Sequence, residues 1–328
     1  MIAFFPGQGS QQVGMGKELL TEFKIAQEIF EEASDAISVN LKKLCLEGPA
    51  DVLMQTENTQ PCLLVNSIAA FRVAQKELDF TPTHAAGHSL GEYSALVAIG
   101  ALPLAQATRW VKARGQAMQE AVPSGEGSMA ATLGMSPESV EELCKRATEK
   151  AKSDRKEHYS VEPIVEPANF NAPGQIVIAG STDAIDVALE LLKSGEITGK
   201  AKKLEVSAPF HCSLMKPARI RMEALFNEKG IEVNTPSHPY FANRTGRLTQ
   251  EKGSILKLLG EQIDHPVLWE PSVHAMMNEG IDRGIEFGHG KVISGLIKRI
   301  SKSAGKEFEV RSMGKPEDLK GIEEWLNK

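Results

Sequence analysis

The stretch Gly87-His88-Ser89-Leu90-Gly91 restricts this chain more than any other. Thr83 to Ala86, just before it, can end a buried strand, and Glu92-Tyr93-Ser94-Ala95-Leu96-Val97-Ala98, just after it, is rich in helix formers. Strand, tight turn and helix form the setting in which the serine of a Gly-x-Ser-x-Gly sequence becomes a nucleophile. The glycines allow a bend where a Cβ would clash. The bend lifts the Ser89 hydroxyl off the sheet, above a helix N-terminus whose free N–H groups favour developing negative charge. The Leu90 N–H is then the natural first half of an oxyanion hole. Taken alone, the pentapeptide is equally compatible with chance recurrence in a glycine-rich chain, so its surroundings must decide.

A length of 328 residues suggests about two domains. Hydrophobic residues make up 41% and charged residues 24%, as in ordinary globular enzymes. The formal net charge of −6 argues against nucleic acid as a partner and requires a local basic patch for any anionic one. Met1-Ile2-Ala3-Phe4-Phe5 reads as a strand rather than a signal peptide, and no apolar run is long enough to span a bilayer. Cys45, Cys62, Cys144 and Cys212 lack Cys-x-x-Cys spacing, which points to reduced thiols in a cytoplasmic protein without a metal site.

Ile2 to Phe5 has the apolar, β-prone character of a central parallel strand. It enters the turn Pro6-Gly7-Gln8-Gly9-Ser10, followed by a helix expected over 12–23. The turn fails both phosphate-loop templates. Gln12 stands where a dinucleotide site needs its third glycine, and Gly16-Lys17-Glu18 lacks the hydroxyl residue of a Walker loop. Gln8 thus belongs either to a plain strand–helix connection or to a loop that offers a second donor to an oxyanion. Further helices are expected over 26–37 and over 62–78, the latter capped by Thr59 with Pro61 in its first turn.

Leu104, Ala107, Val111 and Met118 share one face of a helix, and Arg114 falls on that face. A buried guanidinium needs an anion, because an unpaired buried charge costs several kcal/mol. Periodicity alone favours an internal salt bridge, with a substrate carboxylate as the alternative. Arginine suits the latter through its bidentate fork. Beyond the break at Pro123-Ser124-Gly125, the pattern is strand 128–133, helix 137–152, a charged loop over 151–166, strand 175–180, helix 182–192 and strand 202–206. This βαβαβ order fits a small inserted α+β unit. His211 then lies between the turn Ser207-Ala208-Pro209 and a helix over 213–229, a junction suited to projecting a side chain into a cleft. Strands are expected at 240–243 and 280–287. The terminal helix carries Lys298, Arg299 and Lys302, the main candidates for a local basic patch.

Several segments together resemble one family: Pro6-Gly7-Gln8-Gly9-Ser10-Gln11, Gly87 through Ser94, Arg114-Gly115 with Met118-Gln119, Asn169 through Gln175, and Phe210 through Met215. In this order and spacing they resemble the malonyl-CoA:acyl carrier protein transacylases of type II fatty acid synthesis, over nearly the whole chain. The resemblance implies an α/β fold, with a large α/β-hydrolase-like domain built on a parallel sheet (1–124 and 208–328) and an inserted ferredoxin-like domain (125–207). It implies Ser89 as acyl-accepting nucleophile, His211 as base, Gln8 and Leu90 as oxyanion-hole donors, and Arg114 as anchor of the malonyl carboxylate. Gln262 is implied as the residue whose backbone carbonyl orients the histidine, in keeping with the lack of an obvious acidic triad member. His88, Asn169, Phe210, Asn243 and His289 become candidate gorge-lining residues. Malonyl-CoA and acyl carrier protein are the implied partners of a monomer that needs neither metal nor organic cofactor.

Two departures stand out. Gly288-His289-Gly290 replaces the family's Gly-Pro-Gly, and the loop over 151–166 is longer and more charged than is usual. The rival functions are a discrete polyketide-pathway acyltransferase, a serine esterase or thioesterase, and a non-enzymatic module of similar fold. Arg114 on an inward face argues against the esterase, and the presence of both Ser89 and His211 argues against the non-enzymatic module.

Overall fold

A computed structural model describes residues 1–154, 160–206 and 208–327. Ten strands occur among them: β1 (Ile2–Phe5), β2 (His84–Gly87), β3 (Gly127–Leu133), β4 (Val165–Ala172), β5 (Gln175–Ser181), β6 (Lys200–Lys203), β7 (Tyr240–Ala242), β8 (Arg247–Thr249), β9 (Arg283–Phe287) and β10 (Glu309–Met313). They form two sheets. The larger runs β10-β9-β1-β2-β7-β8 and is parallel except for the β7–β8 pair. The smaller runs β4-β5-β3-β6 and is antiparallel throughout.

β1 shows why the larger sheet sits in the interior. Ala3 and Phe5 face one apolar cluster while Ile2 and Phe4 face another, the two-residue alternation of a strand covered on both sides. Phe5, Phe71, Phe80 and Phe287 pack ring against ring on one side, and Phe4 meets Trp269 edge-on on the other. Each fully buried ring contributes about 1.5–3 kcal/mol relative to exposure. The helices Thr56–Leu78 and Leu90–Ala98 are buried over most of their surface, as helices enclosed between sheet and outer helices must be.

The smaller sheet reads β3, helix Pro137–Ser153, β4, β5, helix Thr182–Lys193, β6 along the chain. This βαββαβ order is that of a ferredoxin-like unit and contains one strand more than the sequence pattern announces. β4, the addition, spells Val-Glu-Pro-Ala-Asn-Phe-Asn-Ala, interrupts its pairing twice with register shifts, and lies at the sheet edge. Proline and asparagine disfavour a strand interior but are tolerated at a bulged edge. On its outer side β4 meets the larger unit: Phe170 N–H donates to Val267 O, and Val267 N–H donates to Ala168 O, both at 2.9 Å.

Other boundaries shift for local reasons. Turns and the positive-φ residues Gly14 and Gly16 delay the first helix to Lys17–Glu22. Thr59 is no cap. It lies within Thr56–Leu78 and donates its hydroxyl to Leu53 O at 2.6 Å, while Pro61 also sits inside that helix. β6 ends before 204–206. The helix expected over 213–229 is a 3₁₀ turn, Ser213–Met215, followed by Lys216–Phe226. Within the charged loop, Ala151–Ser153 continue a helix and Val165–Glu166 begin β4, whereas 155–159 lie outside the described residues.

Candidate active site

The turn after β2 is forced by close approach. A Cβ on Gly87 would collide with the Gly91 carbonyl, and one on Gly91 with the Phe5 carbonyl. The left-handed residue is the serine itself, with φ 52° and ψ −109°. Among the described residues four non-glycine residues have positive φ, and two of them, Ser38 and Asp79, simply end helices. The other two are Ser89 and His211, at φ 52° and 61°. Strain of this kind persists where surrounding structure holds it. At Ser89 the holder is Asn243, whose Oδ1 accepts from the Ser89 N–H and whose Nδ2 donates to Gly87 O, both at 2.7 Å. Asn243 is fully buried beneath the turn, so it braces the nucleophile instead of lining the gorge.

Ser89 Oγ and His211 Nε2 are 2.8 Å apart. His211 Nδ1 lies 2.8 Å from the Gln262 carbonyl. A carbonyl can only accept, so Nδ1 carries the proton and Nε2 is free to take the hydroxyl hydrogen. Burial first, and the Arg114 charge second, push His211 down to about 3. The imidazole is therefore neutral at pH 7, the state a base requires. Gln262 is fully buried within the helix Ile255–Asp264 and supplies both its carbonyl and its side chain to the site.

Arg114 is buried on the helix Leu104–Glu120. Its Nη1 donates to Gln60 Oε1 at 2.8 Å, and its Nη2 donates to Gln262 Oε1 at 2.8 Å and to Ser89 Oγ at 3.2 Å. The guanidinium carbon stands 5.6 Å from the centre of the Tyr93 ring. No carboxylate among the described residues forms an ion pair with it, and its Nε has no partner there. The internal salt bridge favoured by periodicity is thus replaced by two amide oxygens, a hydroxyl and an aromatic face.

A cleft between the two sheets collects most of the expected site residues. Gln8, His88, Ser89, Leu90, Arg114, Asn169, Phe210 and His211 all line it. Leu90 opens the helix, so its N–H has no acceptor within that helix. His88 Nε2 is 2.7 Å from Asn171 Oδ1, and its ring packs 5.6 Å from Trp269. His289 is not among the residues lining this cleft: its Nε2 is 2.9 Å from Gln12 Oε1, so it holds the segment that follows the Pro6–Ser10 turn. Lys298, Arg299 and Lys302 are exposed on the helix Val292–Ser303, and Arg299 Nη1 donates to Gln175 Oε1 at 2.8 Å.

Sequence reasoning missed Gln60, Glu92 and Asn171, together with Met129 and Val177 of the small-sheet wall. Glu92 had left a signal. It is the one charged residue in the otherwise uncharged run His88–Ala98, and such a residue rarely sits fully buried without a partner. Gln60 had left none, since a neutral amide in a helix has no pattern that distinguishes it.

A strained serine with a neutral imidazole and a buried cation beside it defines a serine acyl-transfer site, and residues 4–314 match the Acyl transferase domain family. The chain belongs to that family. It is 42% identical over 302 residues to a malonyl CoA-acyl carrier protein transacylase of Bacillus subtilis, covering 92% of this chain and 90% of that one. A crystal structure of malonyl-CoA:acyl carrier protein transacylase from Xanthomonas oryzae superposes with a TM-score of 0.89 at 41% identity, covering 99% and 98% of the two chains. Another solved relative, at TM-score 0.88, 38% identity and 98% coverage of both chains, is a malonyl-transacylase in complex with a type II polyketide synthase acyl-carrier protein. Among the described residues no helix is long and apolar enough to cross a membrane.

Proposed function

We propose that this acyltransferase moves the malonyl group from malonyl-CoA to the phosphopantetheine thiol of acyl carrier protein in fatty acid synthesis, through a malonyl-Ser89 intermediate. One observation carries the reading: Arg114 is buried and lacks a carboxylate among its described partners, yet its Nη2 lies 3.2 Å from the attacking oxygen. A dicarboxylic thioester seated with its carbonyl at Ser89 has its free carboxylate at the guanidinium, while an ordinary fatty ester leaves that cation unmatched.

The chemistry follows in two half-reactions. His211 Nε2 takes the Ser89 proton as Oγ attacks the thioester carbonyl. The Leu90 and Gln8 N–H groups hold the oxyanion; one such donor is typically worth about 10²–10³ in rate. The carbon–sulfur bond breaks, and the proton leaves with the coenzyme A thiol. The carrier thiol then reverses the sequence on malonyl-Ser89. Gln262 keeps His211 in the reactive tautomer through its carbonyl, the part a carboxylate plays in a catalytic triad. No step requires a metal or an organic cofactor.

The division into 1–124 with 208–328 and 125–207 is supported by the two separate sheets, with the cleft between them. The exposed Lys298, Arg299 and Lys302 give an acidic carrier protein a basic landing face beside the small sheet. One chain supplies every named group, which supports a monomer, and the free cysteines Cys45, Cys62, Cys144 and Cys212 suit a reducing cytoplasm. Incubation with malonyl-CoA should add a malonyl mass to the peptide containing Ser89 and to no other. Labelling that persists in Ser89→Ala removes the serine from the mechanism, and rapid release of free malonate without an acceptor thiol turns the assignment to a hydrolase.

A further inference from the structure

Among the described residues Glu92 is the one acid drawn into this buried network. It lies on the helix Leu90–Ala98 with no exposed surface. Its Oε2 accepts from Gln262 Nε2 at 2.7 Å and from the Asn243 N–H at 3.2 Å, while Oε1 has no partner among the described residues. The Gln262 amide therefore lies head to tail between two charges. Its NH₂ faces the Glu92 carboxylate, and its Oε1 accepts from Arg114 Nη2 at 2.8 Å. A neutral amide at position 92 could accept the same two hydrogen bonds. What a carboxylate adds is charge, and buried charge is retained only against a counter-charge.

We propose that Glu92 is a positioning residue that balances Arg114 through the Gln262 amide in the free enzyme, and that it takes up a proton on Oε1 when an acyl carboxylate docks on the guanidinium. Docking leaves two anions around one cation, with Arg114 and Glu92 both buried. A proton on Oε1 removes the excess without breaking an existing hydrogen bond, because both bonds are made by Oε2.

The other titratable groups facing this site do not compete for the proton near pH 7. Burial raises Tyr93, on the same helix, and Tyr240, on β7, so both stay neutral phenols. His88 and His211 are lowered, chiefly by burial, and stay neutral imidazoles. Arg114 stays a cation despite the lowering effect of burial. Burial brings Glu92 up to about 7, against the opposing pull of Gln262, the Asn243 N–H and Arg114.

The inference rests on Arg114 as the anchor of the malonyl carboxylate. Acyl transfer from thioester to serine is itself proton-neutral near pH 7, since the serine proton departs on the thiol. Net proton uptake thus reports on the enzyme. The full chain is mixed with stoichiometric malonyl-CoA in a weakly buffered dye solution, and protons consumed are divided by malonyl-Ser89 counted by mass. The expected result is a sizeable fraction of one proton per label near pH 7, vanishing towards pH 5, where free-enzyme Glu92 is already protonated. Glu92→Gln, which keeps the acceptor for Gln262 and Asn243, should lose the uptake on whatever fraction becomes labelled. Label without uptake in the wild type, or uptake unchanged in Glu92→Gln, overturns the proposal and leaves the malonyl reading standing. If Glu92→Gln does not fold, the pH course of the wild type decides alone. Absence of malonyl label on wild-type Ser89 overturns the reading beneath it instead.

Discussion

The two walls of the cleft differ in what they offer. The floor, built on the larger sheet, presents a serine, a histidine, an arginine and three buried residues, Gln60, Gln262 and Asn243, that hold them. The facing wall, built on the smaller sheet, presents Met129 and Val177 with Leu204 and Val206 beside them, relieved by Asn169 and Asn171. Among the lining residues, those proposed to move a proton or carry a charge are on the floor. Under the proposed mechanism, reactivity and choice of acyl group fall to one surface, and the opposite surface shapes the space.

This contrast predicts a graded series. His211→Ala should cost the most, about 10⁴–10⁶ in turnover, in line with single removals from other serine–histidine pairs. Because the imidazole is held neutral, malonylation by the wild type should show no acid limb centred near 6.5, the ordinary histidine value. The loss should come only at much lower pH, towards the value of about 3 set by burial and Arg114. A limb at 6.5 in single-turnover rates would mean that the histidine is solvated in the working enzyme.

Arg114→Ala should come next. A site built for a charged group loses up to about 10⁴ in discrimination when that pairing is gone. Malonyl transfer should fall by about 10²–10⁴ while acetyl transfer changes only a few-fold, read as the ratio of kcat/KM for the two donors. An equal fall on both would move the choice of acyl group off the floor. Asn243→Ala should act through the strained turn. It removes both braces of Ser89, lowering stability by about 1–3 kcal/mol in thermal unfolding and turnover by about 10-fold or more, with KM for malonyl-CoA little changed.

The smallest effect belongs to the wall. Leu204→Ala trims a half-buried side chain and should raise KM no more than a few-fold, leaving the malonyl-to-acetyl ratio where it was. A shift in that ratio comparable to that of Arg114→Ala would erase the distinction between the two surfaces.

What could be read from the residues follows the range of the interactions involved. The nucleophile turn is written locally, because its glycines, strand and helix are contiguous. Arg114 could be placed on an inward face from spacing, but its partner could not, since Gln60 and Gln262 arrive from 54 and 148 residues away. β4 escaped notice because its partners, not its side chains, make it a strand. The fate of Asn243 and His289 was invisible for a similar reason. Each joins a segment brought in by the fold: one lies under the nucleophile turn, the other against Gln12.

The paired amide bonds between Ala168–Phe170 and Val267 carry a lesson for anyone exchanging parts among relatives. The junction is written in main-chain atoms, so it is indifferent to which side chains flank it but intolerant of a changed residue count. A transplanted smaller unit with a foreign sequence and the native spacing can dock there. One with an extra residue inserted between Ala168 and Phe170 would dock out of step by one residue beyond that point. Asn171, downstream of the insertion, would then turn away from His88.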